Sequence, residues 1–306
     1  MSSGIEDKFD QIMGSLVRIE KALKIVPDRD AAINDYDSSI DEYEKFAKED
    51  LNLAQNTIEN QKSAILGFLK HSNGKVNKDT VKDYLNSNDS SSWRTNQLKA
   101  LRRYSRDFLK LGNWIVNEFD FSKTRVKLKE IPNDEQIREF FENLPYQGQL
   151  AFLILYNSGL RIGEVLGLKV SDINFDTNMI NVSDIHEGDT KYSWISFITK
   201  QTSQIIQQYL STANITDASS KIFPVTKRTI QKMFQDTSEY LGIAITPHLM
   251  RTIFAEKCTK EGIQDKHINA FCGRVSQGIL AKHYTDYSPR KLREEYNKVE
   301  PYLTLG

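Results

Sequence analysis

The residues Asn157-Ser158-Gly159-Leu160-Arg161-Ile162-Gly163-Glu164-Val165-Leu166-Gly167-Leu168 join two helical patterns through a glycine turn. Upstream, residues 147–157 are apolar on most sides, which predicts a buried helix. Before it, Asn133 with Gln136 three residues on forms a capping-box signature for a helix reaching Leu144, and Pro145 ends that helix. Downstream, a short helix over 161–168 gives way to alternating residues over 170–175, 179–182 and 192–198. The turn formers Asp176-Thr177-Asn178 and Glu187-Gly188-Asp189 lie between them, so a small antiparallel sheet is expected. Helical patterns then resume with starts near Thr199, Thr226, Pro247 and Asp265. The strands are a minor insert in a helical domain.

Before this domain the chain is helical throughout. A long amphipathic stretch covers 41–69, Asn73-Gly74 makes a turn, and a short helix begins near Asn77. A serine-rich loop over 86–92 leads into a helix over 95–111. One side of that helix carries Leu98, Leu101, Tyr104 or Ser105, and Phe108; the other carries Lys99, Arg102, Arg103, Arg106 and Lys110. A solvated charged face is the commoner fate of such a helix, and an anionic partner is the alternative. Residues 123–132, with Lys123, Arg125 and Lys127 and closed by Pro132, read as a basic linker. At the N-terminus, Ile5, Phe9, Ile12, Leu16, Ile19 and Leu23 form a heptad seam that stops at Pro27. Both a coiled coil between protomers and a helix packed on its own domain satisfy it. The organisation expected is therefore 1–27, a heptad helix; 28–122, a helical domain; 123–132, the linker; and 133–306, a mixed, mostly helical domain with a tail.

Lysine plus arginine equals aspartate plus glutamate at 41 each, which by itself argues against a protein that coats a polyanion. The average hides a gradient: residues 1–60 carry fourteen acids against seven bases, and residues 94–129 carry ten bases against three acids. Two cysteines, Cys258 and Cys272, and the lack of a leader pattern point to a reducing cytoplasm. No apolar run approaches the roughly 18 residues of a membrane span. Phosphate loops, dinucleotide fingerprints and zinc-spaced cysteine pairs are absent from the sequence, so no metal or nucleotide cofactor is expected.

Three segments, Ser158 to Leu168, Thr246-Pro247-His248-Leu249-Met250-Arg251-Thr252-Ile253-Phe254-Ala255, and Lys282-His283-Tyr284-Thr285, resemble in order and spacing the catalytic boxes of the tyrosine recombinases, the phage-type integrase family. The resemblance covers residues 38–287. It implies a mainly α protein: a helical SAM-like core-binding domain followed by the tyrosine-recombinase catalytic domain with its small antiparallel sheet. It also implies site-specific integration or excision of double-stranded DNA through a 3′-phosphotyrosyl intermediate, within a tetramer on two DNA sites. A topoisomerase-like nicking and closing enzyme and an inactive DNA-binding accessory protein are the rivals.

The residue chemistry agrees with that implication. Cutting a phosphodiester without metal needs fixed cations where a five-coordinate phosphorus gathers charge, and arginine's planar fork suits two non-bridging oxygens. Arg161 and Arg251 are the candidate pair, with Lys191 as donor to the leaving 5′ oxygen and His248 as proton acceptor or phosphate ligand. Tyr284 is the candidate nucleophile; Tyr287 is the reserve, and Tyr296 and Tyr302 compete. Where the family usually has Leu-Gly-His, this chain has Cys272-Gly273-Arg274, so Arg274 either holds the same phosphate oxygen or marks altered activity. Lys99, Arg102, Arg103, Arg106, Lys123, Arg125 and Lys127 are the candidate DNA contacts. The tail beyond Ser288-Pro289 fits docking on a neighbouring protomer and folding onto its own domain equally well.

Overall fold

A computed structural model describes residues 29–122, 130–182, 195–273 and 286–305. The heptad helix over 1–27 lies outside the described residues, as do Lys123, Arg125, Lys127, Lys191, Arg274 and Tyr284. The chain divides into two compact units, Met1–Leu128 and Lys129–Gly306, each with its own apolar core.

In the first unit, β1 (Ala31–Ala32) precedes α1 (Tyr36–Glu49) and α2 (Gln55–His71), and β2 (Lys75–Val76) leads to α3 (Lys78–Asn86). Next come α4 (Ser91–Arg102), a π-wound extension (Arg103–Phe108), and α5 (Trp114–Asn117). The expected long stretch over 41–69 is thus two helices. Asn52 takes a left-handed conformation at φ 47°, which a straight helix cannot continue through. Turning back at 50–54 lets Tyr43 of α1 donate to Gln61 of α2 across 2.6 Å inside the core. The turn at Asn73-Gly74 is present, both residues at positive φ. It brings β2 antiparallel to β1, a two-residue pairing too short to leave a sequence signal. α4 begins earlier than expected, because Ser90 of the serine-rich loop caps it by accepting from Trp93 N–H.

The second unit opens with α6 (Asp134–Asn143), whose Asn133/Gln136 capping box is formed in both directions at 2.8 and 3.0 Å. α7 (Tyr146–Ser158) is buried over most of its length and serves as the central post. After α8 (Ile162–Gly167), β3 (Ile173–Asn174), β4 (Met179–Asn181) and β5 (Ile195–Phe197) form an antiparallel sheet in that order. The first expected strand is shorter than its alternation suggested. Val170 and Ser171 instead donate to Ser220 and Ala218 carbonyls, and Asp172 caps a 3₁₀ turn through Lys169 N–H. Then follow α9 (Lys200–Thr212), α10 (Lys227–Leu241), α11 (Pro247–Lys260), α12 (Asp265–Phe271) and α13 (Pro289–Val299). Thr199, Thr226 and Thr246 each cap the helix that follows. The protein is mainly α with one small antiparallel sheet, and no described helix is long and apolar enough to cross a membrane.

The tail folds onto its own domain. Leu292, Tyr296, Val299 and Leu303 are buried, and Tyr296 hydroxyl donates to Asn157 carbonyl at 3.1 Å. Asn157 Nδ2 donates to Leu303 carbonyl at 2.9 Å, and its Oδ1 accepts from Thr199 N–H and hydroxyl. One buried amide therefore joins α7, the sheet exit and the C-terminus.

Glu295 on α13 is buried beside Lys291 and Lys298. Burial alone would raise its pKa, but hydrogen bonds and charge from both lysines outweigh it and hold the carboxyl at about 2, below its ordinary 4.5. A depressed carboxylate contributes stability above its unfolded pKa and loses it as pH falls through the folded one. Wild-type stability should therefore drop between pH 4.5 and about 2. Glu295→Gln should flatten that part of the profile in denaturant titrations; an unchanged acid limb would contradict the assignment.

Candidate active site

Gly159, at φ +66°, ends α7, and a Cβ placed there would lie 2.4 Å from the Phe254 ring of α11. Only glycine lets the turn approach α11 this closely. Ser158 pins the turn: its hydroxyl bonds Ile154 carbonyl and Leu160 N–H, while its carbonyl accepts from Ser196 of β5 at 2.6 Å.

Arg161 follows as the N-cap of α8. The buried Glu164 carboxylate accepts from Arg161 N–H at 2.6 Å and from its guanidinium at 2.7 Å. The guanidinium also reaches Gly273 carbonyl at 3.5 Å. Arg251, one turn after the start of α11, is buried to 5% exposure. It donates from Nη1 to Gly159 carbonyl at 3.0 Å and from Nη2 to Cys272 carbonyl. Both guanidinium groups thus reach the segment 272–273, and Arg251 ties that segment to the turn at Gly159 from which Arg161 projects. Thr246 accepts from Leu249 N–H, fixing the helix start that carries His248.

These groups open onto one cleft of about 350 Å³ lined by Arg161, Glu164, His248 and Arg251. Its remaining wall holds Lys227 and Gln231 of α10. The start of α10 near Thr226 is legible in the sequence, but Lys227 is not marked there as a site residue, since no spacing links it to Arg161. Of the reserve nucleophiles, Tyr287 is buried edge-on to His267 with ring centroids 6.3 Å apart. Tyr296 is buried in the core, its pKa pushed up by burial, and Tyr302 lines a separate hollow with Asp134 and Lys257. Burial also raises the Cys258 thiol pKa and makes it a poor nucleophile.

In the first unit, Lys99, Arg102, Arg103 and Arg106 line a hollow of about 390 Å³ with Thr57, Gln61 and Phe121. The four cations are not equivalent. Arg102 lies 4.2 Å over the Phe121 ring and donates to Val116 and Phe119 carbonyls, so it holds the chain after α5 in place. Arg106 forms a two-bonded pair with Asp107 at 2.6 and 2.9 Å. Lys99 and Arg103 make no ion pair among the described residues.

Residues 131–291, slightly more than half the chain, match the model of the phage integrase family. The chain belongs to that family. Its relatives include tyrosine recombinase XerA of Saccharolobus solfataricus, 28% identical over 49% of this chain and 49% of that protein. Tyrosine recombinase XerA of Pyrococcus furiosus is 27% identical over 53% of this chain and 58% of that protein. The chain thus spans about half the length of these relatives. In fold it is similar to lambda integrase in a dimer bound to a COC′ core site, with TM-score 0.64, 18% identity, and coverage of 90% of this chain and 82% of that one. The integrase of transposon Tn1549 in complex with circular intermediate DNA gives TM-score 0.61 at 17% identity, covering 84% and 98%.

Gly159→Ala should destabilise the protein: about 1–2 kcal/mol for the left-handed backbone, plus about 1–3 kcal/mol for forcing Phe254 aside. A thermal midpoint lowered by several degrees is expected; an unchanged midpoint would show that the turn has room for a side chain.

Proposed function

We propose that this protein is a tyrosine recombinase that cuts and rejoins double-stranded DNA at specific sites without metal or ATP. The observation that carries the reading is one cleft in a family member lined by Arg161 from the cap of α8 and by His248 and Arg251 from α11. Arg161 and Arg251 would bind the non-bridging oxygens of the scissile phosphate. Tyr284 would attack phosphorus, passing its proton to His248, while the bond to the 5′ oxygen breaks and Lys191 protonates that oxygen. Arg274 would hold a phosphate oxygen from the segment after Gly273. Attack by a 5′ hydroxyl on the phosphotyrosine reverses the step, which is how a different strand end is joined. The burial of Tyr287 and Tyr296 supports Tyr284 as nucleophile.

In this reading residues 28–122 form a DNA-binding unit, 123–132 a basic linker with Lys123, Arg125 and Lys127, and 133–306 the catalytic unit. Assembly as a tetramer on two DNA sites follows from the need to exchange strands between duplexes; the lambda integrase tetramer bound to a Holliday junction has this fold. A mobile-element or viral integrase acting in the cytoplasm is the corresponding biology.

The reading is tested by incubating the protein with chelator on nicked duplexes selected for binding. Wild type should yield a denaturation-resistant adduct and Tyr284→Phe should bind without forming one. Binding by wild type with no adduct would contradict the enzyme reading. The same duplexes grade the first unit's cations. Lys99→Ala and Arg103→Ala should each reduce the slope of log affinity against log salt by about 0.9, whereas Arg106→Ala, losing a cation already paired with Asp107, should change it less. Equal effects from all three would show that the Asp107 pair opens on DNA.

A further inference from the structure

The cleft between Arg161 and Arg251 has a third cationic wall. Lys227 is exposed at the first turn of α10, and Gln231, one turn on, shares its face. The backbone beneath Lys227 is fixed: Thr226 accepts from Thr229 N–H, and Ile230 and Phe234 are buried. The Phe234 ring lies 5.5 Å from Phe140 and 6.1 Å from Phe152. The opposite end of α10 is tied to the approach to His248, since Ser238 hydroxyl donates to Ile245 carbonyl at 3.0 Å and accepts from Ile245 N–H.

The charge of the cleft explains what this wall can do. Glu164 faces the same space, but its carboxylate is committed to Arg161, so part of the Arg161 field is spent inside the protein. Arg251 gives at least two of its five N–H donors to backbone carbonyls, so part of its field too is spent inside the protein. Lys227 makes no hydrogen bond or ion pair among the described residues, and the acid on its helix that does pair, Asp236, is two turns away and holds Lys232. A phosphodiester carries one negative charge, and its five-coordinate state concentrates a second on the same oxygens. An unneutralised ammonium on the cleft wall is worth most at that moment.

We propose that Lys227 is a further catalytic residue: its ammonium contacts a non-bridging oxygen of the phosphate held between Arg161 and Arg251 and offsets the charge that gathers there in the five-coordinate state. This assignment rests on the strand-cleaving function proposed above. Lys227 acts as a fixed charge and not as the proton donor, so arginine can replace it. Gln231 adds a neutral donor to the same wall.

Single-turnover adduct formation on nicked duplexes selected for binding tests this, with DNA affinity measured in parallel. Because Lys227 is exposed, Lys227→Ala should fold normally, and matched thermal melts check that. Its cleavage rate should fall about 10- to 100-fold, with affinity within about threefold of wild type, and Lys227→Arg should recover most of the rate. A duplex with sulfur in place of the leaving 5′ oxygen, whose thiolate needs no proton, should not restore Lys227→Ala. Wild-type cleavage by Lys227→Ala would overturn the assignment, as would rate and affinity losses of equal size, which mark an ordinary backbone contact. Full rescue by the sulfur duplex would overturn it too, by making Lys227 the proton donor. If wild type itself forms no adduct while binding DNA, the strand-cleaving reading has failed and Lys227 fails with it.

Discussion

A guanidinium taken out of water must be hydrogen-bonded, and where its partners sit decides what else can move. Arg251 is buried beneath the cleft floor and bonds the carbonyls of Gly159 and Cys272, which belong to segments distant in sequence. Hydrogen bonds to a charged group contribute about 1.5–3 kcal/mol each, and removing one partner strands the others. The glycine turn, the start of α8 and the end of α12 are thereby set around a single cation. Arg161 inherits its place from this frame, because its cap position begins two residues after Gly159 and its guanidinium reaches Gly273. Arg251 is at once a structural tie and the charge that a phosphate would meet.

The second tie is Asn157, which links the residue before the turn to the C-terminal segment and to Thr199. The tail is consequently part of the second unit's core, with Tyr296 packed on Phe197 of β5 at 5.3 Å between centroids. Just ahead of α13, Asp286 is exposed and Tyr287 is buried against the same unit.

Much of this was legible in the sequence, for reasons that differ by element. Helix starts are local signals, so the Asn133/Gln136 box and the starts near Thr199, Thr226, Pro247 and Asp265 were legible. The buried helix α7 announced itself by apolarity on most sides. The break between α1 and α2 was not legible, because a left-handed Asn52 is selected by the packing of Tyr43 on Gln61 and not by its own neighbours. Val170 alternates like a strand residue but pairs with Ser220, a contact that only the tertiary fold specifies. At the site, Arg161, His248 and Arg251 were found through motif order, and they do share a cleft. Lys227 was not, since no local pattern distinguishes a cleft lysine from a solvated one. The basic face of α4 was legible as charge but not as its division between Lys99, which makes no ion pair among the described residues, and structurally occupied Arg102, which depends on Phe121 and the carbonyls beyond α5.

Peptide mapping of the trapped adduct tests most directly whether DNA becomes covalently bound to one tyrosine beside this arginine frame. After nuclease and trypsin digestion, the peptide from His283 to Arg290 contains both Tyr284 and Tyr287, and fragmentation separates them. A nucleotide mass on Tyr284 is the predicted result. The same mass on Tyr287, or on any residue outside that peptide, would contradict the account.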